Sequence, residues 1–137
     1  MKELAASLAL KNVVFIERFV SEEELVGYIQ QADICLGIFG KTDKAARVIP
    51  CKVYNCMAMG KPLITMSSPA TEGVLTHREN AILCKPGDPA ALSEAILSLK
   101  NDKVLREKIA HGGQEYFEKK FSLDAIGKTV LHLIESL

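Results

Sequence analysis

The sequence contains no long apolar run, no excess of charge of either sign and no paired-cysteine motif. Without a run of about 18 apolar residues it predicts no membrane-spanning helix. Seventeen basic residues balance 17 acidic ones, so we expect no nucleic-acid partner. The four cysteines include no Cys-x-x-Cys pair, and the three histidines complete no zinc pattern. We therefore expect reduced cysteines and no zinc site.

The chain also lacks the Gly-x-Gly-x-x-Gly motif and the P-loop, which argues against dinucleotide and nucleoside-triphosphate enzymes. It does contain an alternation of apolar runs and amphipathic segments. Strands are predicted at residues 12–15, 32–39, 63–66 and 80–84, with helical periodicity between them. This pattern predicts one α/β domain over residues 1–137, with a Rossmann-like, doubly wound parallel sheet, helices on both faces and extra C-terminal helices.

Capping residues and turn residues set the predicted helix ends. Ser21 and Glu24 have the capping-box spacing, Pro50 suits a helix start and Gly60 is placed to end that helix. Residues 40–47 are expected to form a polar loop. The remaining helices are expected at residues 70–77 and after the caps Asp88, Asp102 and Ser122. The last helix is expected to direct its apolar residues inward, namely Ile126, Val130, Leu133 and Leu137.

The order of these elements leaves one strand unaccounted for. A doubly wound unit normally begins with its central strand, whereas this sequence begins with a helix. With the usual strand order, the absent strand would lie between residues 12–15 and residues 63–66, and both would keep an unpaired edge. The gap therefore predicts a rearranged or swapped sheet, a homodimer, or a poorly stable fragment of a longer protein.

Ligands of open parallel sheets bind beyond the carboxyl ends of the strands. At this edge, the segment around the start of the helix after the second strand contains Arg47 and Lys52, with Asn55 three residues after Lys52. A helix start attracts anions, and an amide can hydrogen-bond a sugar hydroxyl. Simple solvation of these side chains is the alternative interpretation. Residues 71–73 open a second helix near the same edge, where a capping turn explains the composition equally well.

Residues 47–65 make the sequence recognisable. They resemble the signature of the family-4 retaining glycosyltransferases of the GT-B fold, in which a helix reading roughly Pro-x-Lys-x-x-Glu-x-Met-Ala-x-Gly-Lys-Pro precedes a short strand. The matching residues here are Pro50, Lys52, Met57, Ala58, Gly60, Lys61 and Pro62. Flanking segments at residues 12–15, 24–25, 32–34, 79–83, 86–92 and 121–122 follow the order of the family, so the resemblance runs almost end to end.

The resemblance implies that residues 1–137 are the C-terminal, donor-nucleotide-binding half of a hexosyltransferase. The donor would be a nucleotide sugar such as a UDP- or GDP-sugar, bound without a metal or other cofactor and transferred with retention. The implied donor contacts are Lys52, Arg47, Thr71, Glu72 and Gly73 with the diphosphate, Asn55 with the ribose, and the backbone of Arg18, Phe19 and Val20 with the base. The catalytic residue is left unassigned. Stabilising the departing diphosphate is electrostatic work.

Departures from the family keep a second interpretation open. Where the family commonly carries two glutamates eight residues apart, this chain has Arg47 and Asn55. The acceptor-binding domain of the family has no counterpart in these 137 residues. The alternative is therefore a non-catalytic or degenerate interaction module that pairs with a separate acceptor-domain chain. A signalling receiver is disfavoured, because no strand end offers the aspartate that it needs.

The resemblance also implies a setting for the chain. We expect a role in glycan biosynthesis in the cytoplasm, or at the inner membrane surface through a domain outside this sequence. The expected partner is an N-terminal acceptor domain or a separate chain that supplies it. By itself the chain is expected to be incomplete and inactive as an enzyme.

Overall fold

A three-stranded parallel sheet forms the centre of the computed structural model, which describes residues 2–137. Its strands are β1 (Cys35–Leu36), β2 (Leu63–Met66) and β3 (Ile82–Cys84), in the spatial order β1-β2-β3. Leu63 lies opposite Cys35, and Ile64 lies opposite Ile82. All four residues of β2 are buried, which explains why this strand is an unbroken, mainly apolar run.

Eight helices are present in the described residues. They are α1 (Lys2–Ser7), α2 (Glu22–Gln31), α3 (Asp43–Ala46), α4 (Cys51–Ala58), α5 (Pro69–Glu72), α6 (Pro89–Asn101), α7 (Lys103–Phe121) and α8 (Leu123–Glu135). The crossover from β1 to β2 runs through α4, and the crossover from β2 to β3 runs through α5. Parallel neighbours need such crossover connections.

Two apolar clusters, one on each face of the sheet, form the core. The first cluster contains α4 and comprises Cys35, Val53, Cys56, Met57, Leu63, Leu75 and Ala81. The second contains α6 and the first half of α7 and comprises Ile64, Ile82, Cys84, Ala95, Leu99, Leu105 and Ile109. Because helices cover both faces of a parallel sheet, the predicted doubly wound α/β class is confirmed.

The predicted helix starts are confirmed by their capping bonds. The amide of Glu24 donates to Oγ of Ser21 at 3.2 Å, and the amide of Ser21 donates back to the Glu24 carboxylate at 3.1 Å. Asp88 accepts from two amides at the start of α6. Asp102 and Ser122 cap α7 and α8 in the same way. These side chains satisfy N–H groups that have no partner within the helix.

Residues 12–15, predicted as a strand, do not form one, so that prediction was wrong. Val14 is 86% exposed, and Val13 and Phe15 are also exposed. A strand is stable only when its backbone pairs with a neighbour, and no strand of the described residues lies beside this segment. The β-like composition indicates a preference for extended backbone, but it cannot provide the pairing partner.

The predicted place of the absent strand was also wrong. β2 has a strand neighbour on each side, so it has no gap beside it. The edge strands of the described sheet are β1, whose Leu36 is 42% exposed, and β3. Residues 32–39 therefore form only a short strand, although the pairing continues beyond it: the amide of Gly37 donates to the carbonyl of Ile64 at 2.8 Å.

The inward-facing prediction for the last helix was wrong as well. Ile126, Val130 and Leu133 are 47–59% exposed, and Leu137 is fully exposed. Helix α8 buries none of its residues. Periodicity shows that a helix has an apolar face, but it does not show what covers that face. In the part of the chain that the structure describes, nothing covers this one.

Two shorter segments differ from their predicted form. Residues 40–47 contain the short helix α3, which Thr42 caps by accepting from the amide of Ala45. Helix α5 is shorter than the predicted helix at residues 70–77 and ends before Gly73. In both short helices, a hydrogen bond from the backbone to a capping side chain stabilises the first turn.

A close approach of α7 to the segment before β3 gives a test of the fold. A Cβ at Gly112 would overlap the backbone carbonyl oxygen of Glu79. We therefore expect Gly112→Ala to lower the free energy of unfolding by about 1–3 kcal/mol, measured by urea denaturation. Glycine-to-alanine changes inside helices normally stabilise by about 0.5–1 kcal/mol. Gly127→Ala in α8 should do so, because a Cβ there meets nothing within 4 Å. Equal, stabilising effects of the two changes would contradict the close approach.

Candidate functional site

The carboxyl ends of the three strands meet at one edge of the sheet, here called the carboxyl rim. Two backbone bonds join the loops that leave the strands there. The amide of Gly87 donates to the carbonyl of Phe39 at 2.9 Å, and the amide of Ser67 donates to the carbonyl of Cys84 at 2.8 Å. The loops after β1, β2 and β3 are thereby held side by side, which makes the rim a preformed surface.

A cleft of about 300 Å³ opens at the carboxyl rim. Its lining residues come from the loops after all three strands and include Lys41, Thr42, Ser67, Ser68 and Pro86. Gly87 has a φ of +61°, and a Cβ there would overlap the side chain of Lys41. Glycine is therefore favoured by the left-handed backbone, and it also leaves the space that the Lys41 stem occupies. The cleft combines one cation, Lys41, and one carboxylate, Asp43, with several hydroxyl groups.

Helix α4 begins at this rim, because the chain leaves β1 at its carboxyl end and re-enters β2 at its amino end. The helix buries Val53, Cys56 and Met57 against the sheet. Lys52 and Asn55 lie on its exposed side. Pro50 is the residue before the first turn, and it makes no side-chain cap. The opening turn of α4 therefore has amides without a partner inside the helix, and Lys52 is an exposed cation in that turn.

Asn55 lies in a groove between α2 and α4, here called the α2–α4 groove. The groove has a volume of about 370 Å³ and is mostly apolar. It is lined by Glu22, Leu25, Val26, Ile29, Asn55, Ala58 and Met59. Polar groups stand at only two places, the amide of Asn55 and the carboxylate of Glu22. An apolar groove with a few polar groups is typical of small-molecule sites.

The predicted base-framing segment leads directly into α2. Arg18 forms a two-pronged ion pair with Glu24, in which Nη1 lies 2.9 Å from Oε2. This hydrogen bond raises the pKa of the Arg18 guanidinium and lowers the pKa of the Glu24 carboxyl, which also accepts from Ser21. Phe19 is 97% exposed, and Val20 is half-buried. The Arg18 charge is thus paired, while the Phe19 ring remains open to solvent.

Residues 71–73, which were predicted to lie near the phosphates, are hydrogen-bonded mainly within their own turn. Thr71 is fully buried, and its hydroxyl lies 2.9 Å from the carbonyl of Met66 and accepts from the amide of Ser68. The amide of Thr71 donates to Ser68 Oγ, and the amide of Gly73 to the carbonyl of Thr71. Glu72 is hydrogen-bonded to Ser67 beside a cavity of about 710 Å³. Thr71 therefore builds the turn, and only Glu72 presents a side chain to a cavity.

The structure brings some predicted site residues together and leaves others apart. Lys52 and Asn55 share one exposed helix face, and Asn55 shares a groove with the helix that follows residues 18–20. Arg47 ends α3 and donates from Nε to the carbonyl of Asp43. Lys41 was not among the predicted donor contacts, although it lines the cleft. Its position just after the predicted strand at residues 32–39 is the signal that could have identified it.

Two further observations concern possible cofactors and membranes. Within residues 2–137, no group of three or more His, Cys, Asp or Glu side chains is placed to hold a metal ion. None of the helices in this range has both the length and the apolar character needed to cross a membrane.

Comparisons with known proteins agree on one family. The family described as "Glycosyl transferases group 1" matches residues 1–116. The lipopolysaccharide core biosynthesis glycosyltransferase LpsD of Rhizobium meliloti (strain 1021) is 36% identical over 76 residues, which are 56% of this chain and 22% of LpsD. HepE of Anabaena, solved in complex with UDP and glucose, has a TM-score of 0.83 at 19% identity, over 99% of this chain and 35% of HepE.

A third similar protein is the C-terminal domain of the group 1 glycosyl transferase LpcC of Francisella tularensis. Its TM-score is 0.70 at 20% identity, over 89% of this chain and 60% of that one. These structures confirm the Rossmann-like fold of a GT-B glycosyltransferase domain. In each case the chain spans less than two thirds of the length of the similar protein.

Proposed function

Because this chain belongs to the group 1 glycosyl transferases, we propose that it binds the nucleotide-sugar donor of a hexosyltransferase. The donor is a nucleoside-diphosphate sugar, with UDP favoured over GDP because HepE was solved with UDP. The observation that carries the proposal is that Lys52 is exposed in the opening turn of α4, while Asn55, one turn further along the same helix, lines the α2–α4 groove.

Charge and geometry support a diphosphate at the start of α4. A helix start favours an anion through its free amides and its dipole. Lys52 adds a full positive charge on a flexible stem, and Lys41 lines the cleft at the carboxyl rim. In glycosyl transfer the diphosphate gains negative charge as it leaves the sugar, so cations already in place stabilise the transition state. Arg47 and Glu72 flank this region in our proposal.

The α2–α4 groove is the proposed place of the nucleoside. Asn55 lines the groove and would hydrogen-bond a ribose hydroxyl. The apolar side chains of Leu25, Val26 and Ile29 would contact the ribose carbons and the flat face of the base. The segment at residues 18–20 leads to the same groove and would bound the base. The sugar itself would then occupy the cleft of about 300 Å³.

The complete reaction belongs to a larger assembly in this proposal. The chain would work with an acceptor-binding domain, either covalently linked or a separate chain, that closes over the donor and excludes water. Transfer would retain the anomeric configuration, and no metal would be required. The setting would be glycan biosynthesis in the cytoplasm or at the inner membrane surface, since LpsD is itself a lipopolysaccharide core glycosyltransferase.

Thermal unfolding with added nucleotides tests donor binding directly. At a UDP concentration a hundred times its Kd, we expect stabilisation of about 2.7 kcal/mol, or a rise in Tm on the order of 10 °C. UMP should give a smaller rise, because it lacks the β-phosphate. The rise with UDP should persist in EDTA. If UDP, GDP and their sugar derivatives all leave Tm unchanged, the donor-binding proposal is wrong.

A second candidate is a non-catalytic interaction module derived from the same domain. The observation that favours it is the uncovered apolar face of α8, with Leu123 at 92% and Ile134 at 63% exposure. Exposed apolar faces of this kind mark protein contacts. Such a module would bind a partner chain yet show no Tm rise with any nucleoside diphosphate, so the same titration separates the two candidates.

A further inference from the structure

A second cavity, here called the α7 cavity, lies at the other end of the sheet from the carboxyl rim. Its volume is about 670 Å³, and cavities of this size accommodate small molecules. Glu79 and Asn80, just before the amino end of β3, line one side, and residues between Gly112 and Lys119 of α7 line the other. None of these residues belongs to the proposed donor site.

The two walls of the α7 cavity are held in place by close packing. A Cβ at Gly112 would overlap the carbonyl oxygen of Glu79, so the glycine allows α7 to approach the backbone before β3. On the α7 wall, the ring centroid of Tyr116 lies 5.8 Å from that of Phe121, with the ring planes at 61°. This edge-to-face contact restrains the Tyr116 ring. The cavity is therefore largely preformed.

Asn80 supplies the cavity with a hydrogen-bond donor. The residue is only 6% exposed, and its side-chain oxygen accepts from the amide of Thr76 at 2.7 Å. Its side-chain nitrogen makes no hydrogen bond with the described residues. Among these residues, no side-chain nitrogen or oxygen is both sealed from solvent and without a partner. The nitrogen therefore reaches solvent, and the α7 cavity is the solvent space that Asn80 lines.

We propose that the α7 cavity binds a neutral sugar unit. Ionised carboxylates only accept hydrogen bonds, whereas the Asn80 nitrogen and the Lys119 ammonium only donate them. A sugar hydroxyl does both, so a ring with several hydroxyl groups pairs with both kinds of side chain. The Tyr116 ring offers apolar surface to the C–H groups of the sugar. The proposal holds whether or not the chain binds a nucleotide sugar.

The charge of the α7 cavity disfavours an anionic ligand. Three carboxylates, those of Glu79, Glu115 and Glu118, line it together with one ammonium group, that of Lys119. Glu115 lies 3.3 Å from Nε2 of His111, whereas Glu79 and Glu118 make no ion pair with the described residues. A phosphate, a nucleotide or an acidic sugar would meet this excess of like charge.

Cationic ligands fit the cavity less well than a sugar. Within residues 2–137 the carboxylates are not grouped so that three of them could hold a metal ion. A polyamine could pair with the carboxylates, but it has no acceptor for the Asn80 nitrogen, and Lys119 would repel it. A neutral ligand with many hydroxyl groups is the class that pairs every polar group of the cavity.

NMR titration of the unsubstituted chain with neutral sugars tests the proposal. The probes are the methyl glycosides of glucose, galactose and mannose, together with N-acetylglucosamine. At least one of them should shift the backbone amide signals of residues 79–80 and 112–119 in a saturable way. The proposal is overturned if none does, if the shifts lie only elsewhere, or if spermidine shifts these signals and no sugar does.

UDP in the same experiment separates this proposal from the donor-binding proposal. UDP should leave the signals of the α7 cavity unchanged while it shifts those of α4. A chain that binds a sugar at the α7 cavity but ignores UDP would contradict donor binding alone. A chain that binds UDP but none of the sugars at the α7 cavity would contradict the second site alone.

Asn80→Asp tests the donor group itself. The substitution keeps an oxygen for the amide of Thr76 but replaces the NH₂ donor with an acceptor. We expect the Kd of the sugar that binds best to rise about 3- to 10-fold, the effect of one lost hydrogen bond. The same change at the exposed Asn12, before α2 and outside the cavity lining, is the control and should leave the Kd unchanged. Equal Kd values for Asn80→Asp and the unsubstituted chain would overturn the proposal, and the titration of the unsubstituted chain decides it if the variant does not fold.

Discussion

Replacing Met57 with alanine is expected to lower the free energy of unfolding by about 2–5 kcal/mol, the range found when a large buried side chain is truncated and leaves a cavity. Met57 is fully buried in the cluster between α4 and the sheet. Its neighbours are held by the strands and by α7, so they cannot collapse fully into the space. The loss is a large share of the total stability of a domain, and urea denaturation monitored by circular dichroism would measure it.

Met59→Ala is the matched control for this prediction. It makes the same chemical change two residues further along, where Met59 ends α4 and is only partly buried. Its effect should stay well below that of Met57→Ala, because partly solvated sites leave little empty volume. If the two variants lost equal stability, α4 would not be anchored through Met57 as the structure has it.

Replacing Lys52 with alanine is expected to weaken UDP binding roughly 10- to 100-fold, because a hydrogen bond between charged groups contributes about 1.5–3 kcal/mol. The side chain is exposed, so the stability of the free protein should change by no more than about 0.5 kcal/mol. A loss of binding without a loss of stability would therefore report the contact with the ligand. Isothermal titration with UDP, run at two salt concentrations, measures both the affinity and its electrostatic part.

Lys103→Ala controls for the loss of one positive charge. Lys103 opens α7 and pairs with Glu107, and it lies away from the carboxyl rim because α6 carries the chain from that rim to the other edge of the sheet. Its removal should leave the Kd for UDP within about twofold. Unchanged UDP affinity in Lys52→Ala, alongside clear binding by the unsubstituted chain, would show that Lys52 does not meet the diphosphate.

Local signals in the sequence predicted much of the fold correctly. The capping side chains of Ser21, Asp88 and Asp102 accept hydrogen bonds from amides no more than three residues further on. Both partners therefore lie in one short stretch of sequence, which makes the caps predictable. The strand at residues 63–66 was predictable because a strand buried on both faces is mainly apolar. The family signature at residues 47–65 covers the same strand and α4, so the motif used for recognition is also a structural element of the core.

The errors arose where the outcome depends on distant partners. Residues 12–15 have the composition of a strand but no neighbouring strand, and α8 has an apolar face that no described residue covers. The local sequence pattern predicts neither the pairing of a strand nor the partner that covers a helix face. The donor contacts stay a prediction, because Lys52, Asn55 and Thr71 were all assigned by resemblance to a family. Thr71 is fully buried and stabilises its own turn, so resemblance alone does not show that a residue contacts the ligand.

The two sides of helix α4 have different environments. Val53, Cys56 and Met57 are buried against the sheet, whereas Lys52 and Asn55 are exposed. Substitutions at the outward positions should therefore leave the fold intact, whereas substitutions at the inward positions should disturb the packing of α4 on the sheet.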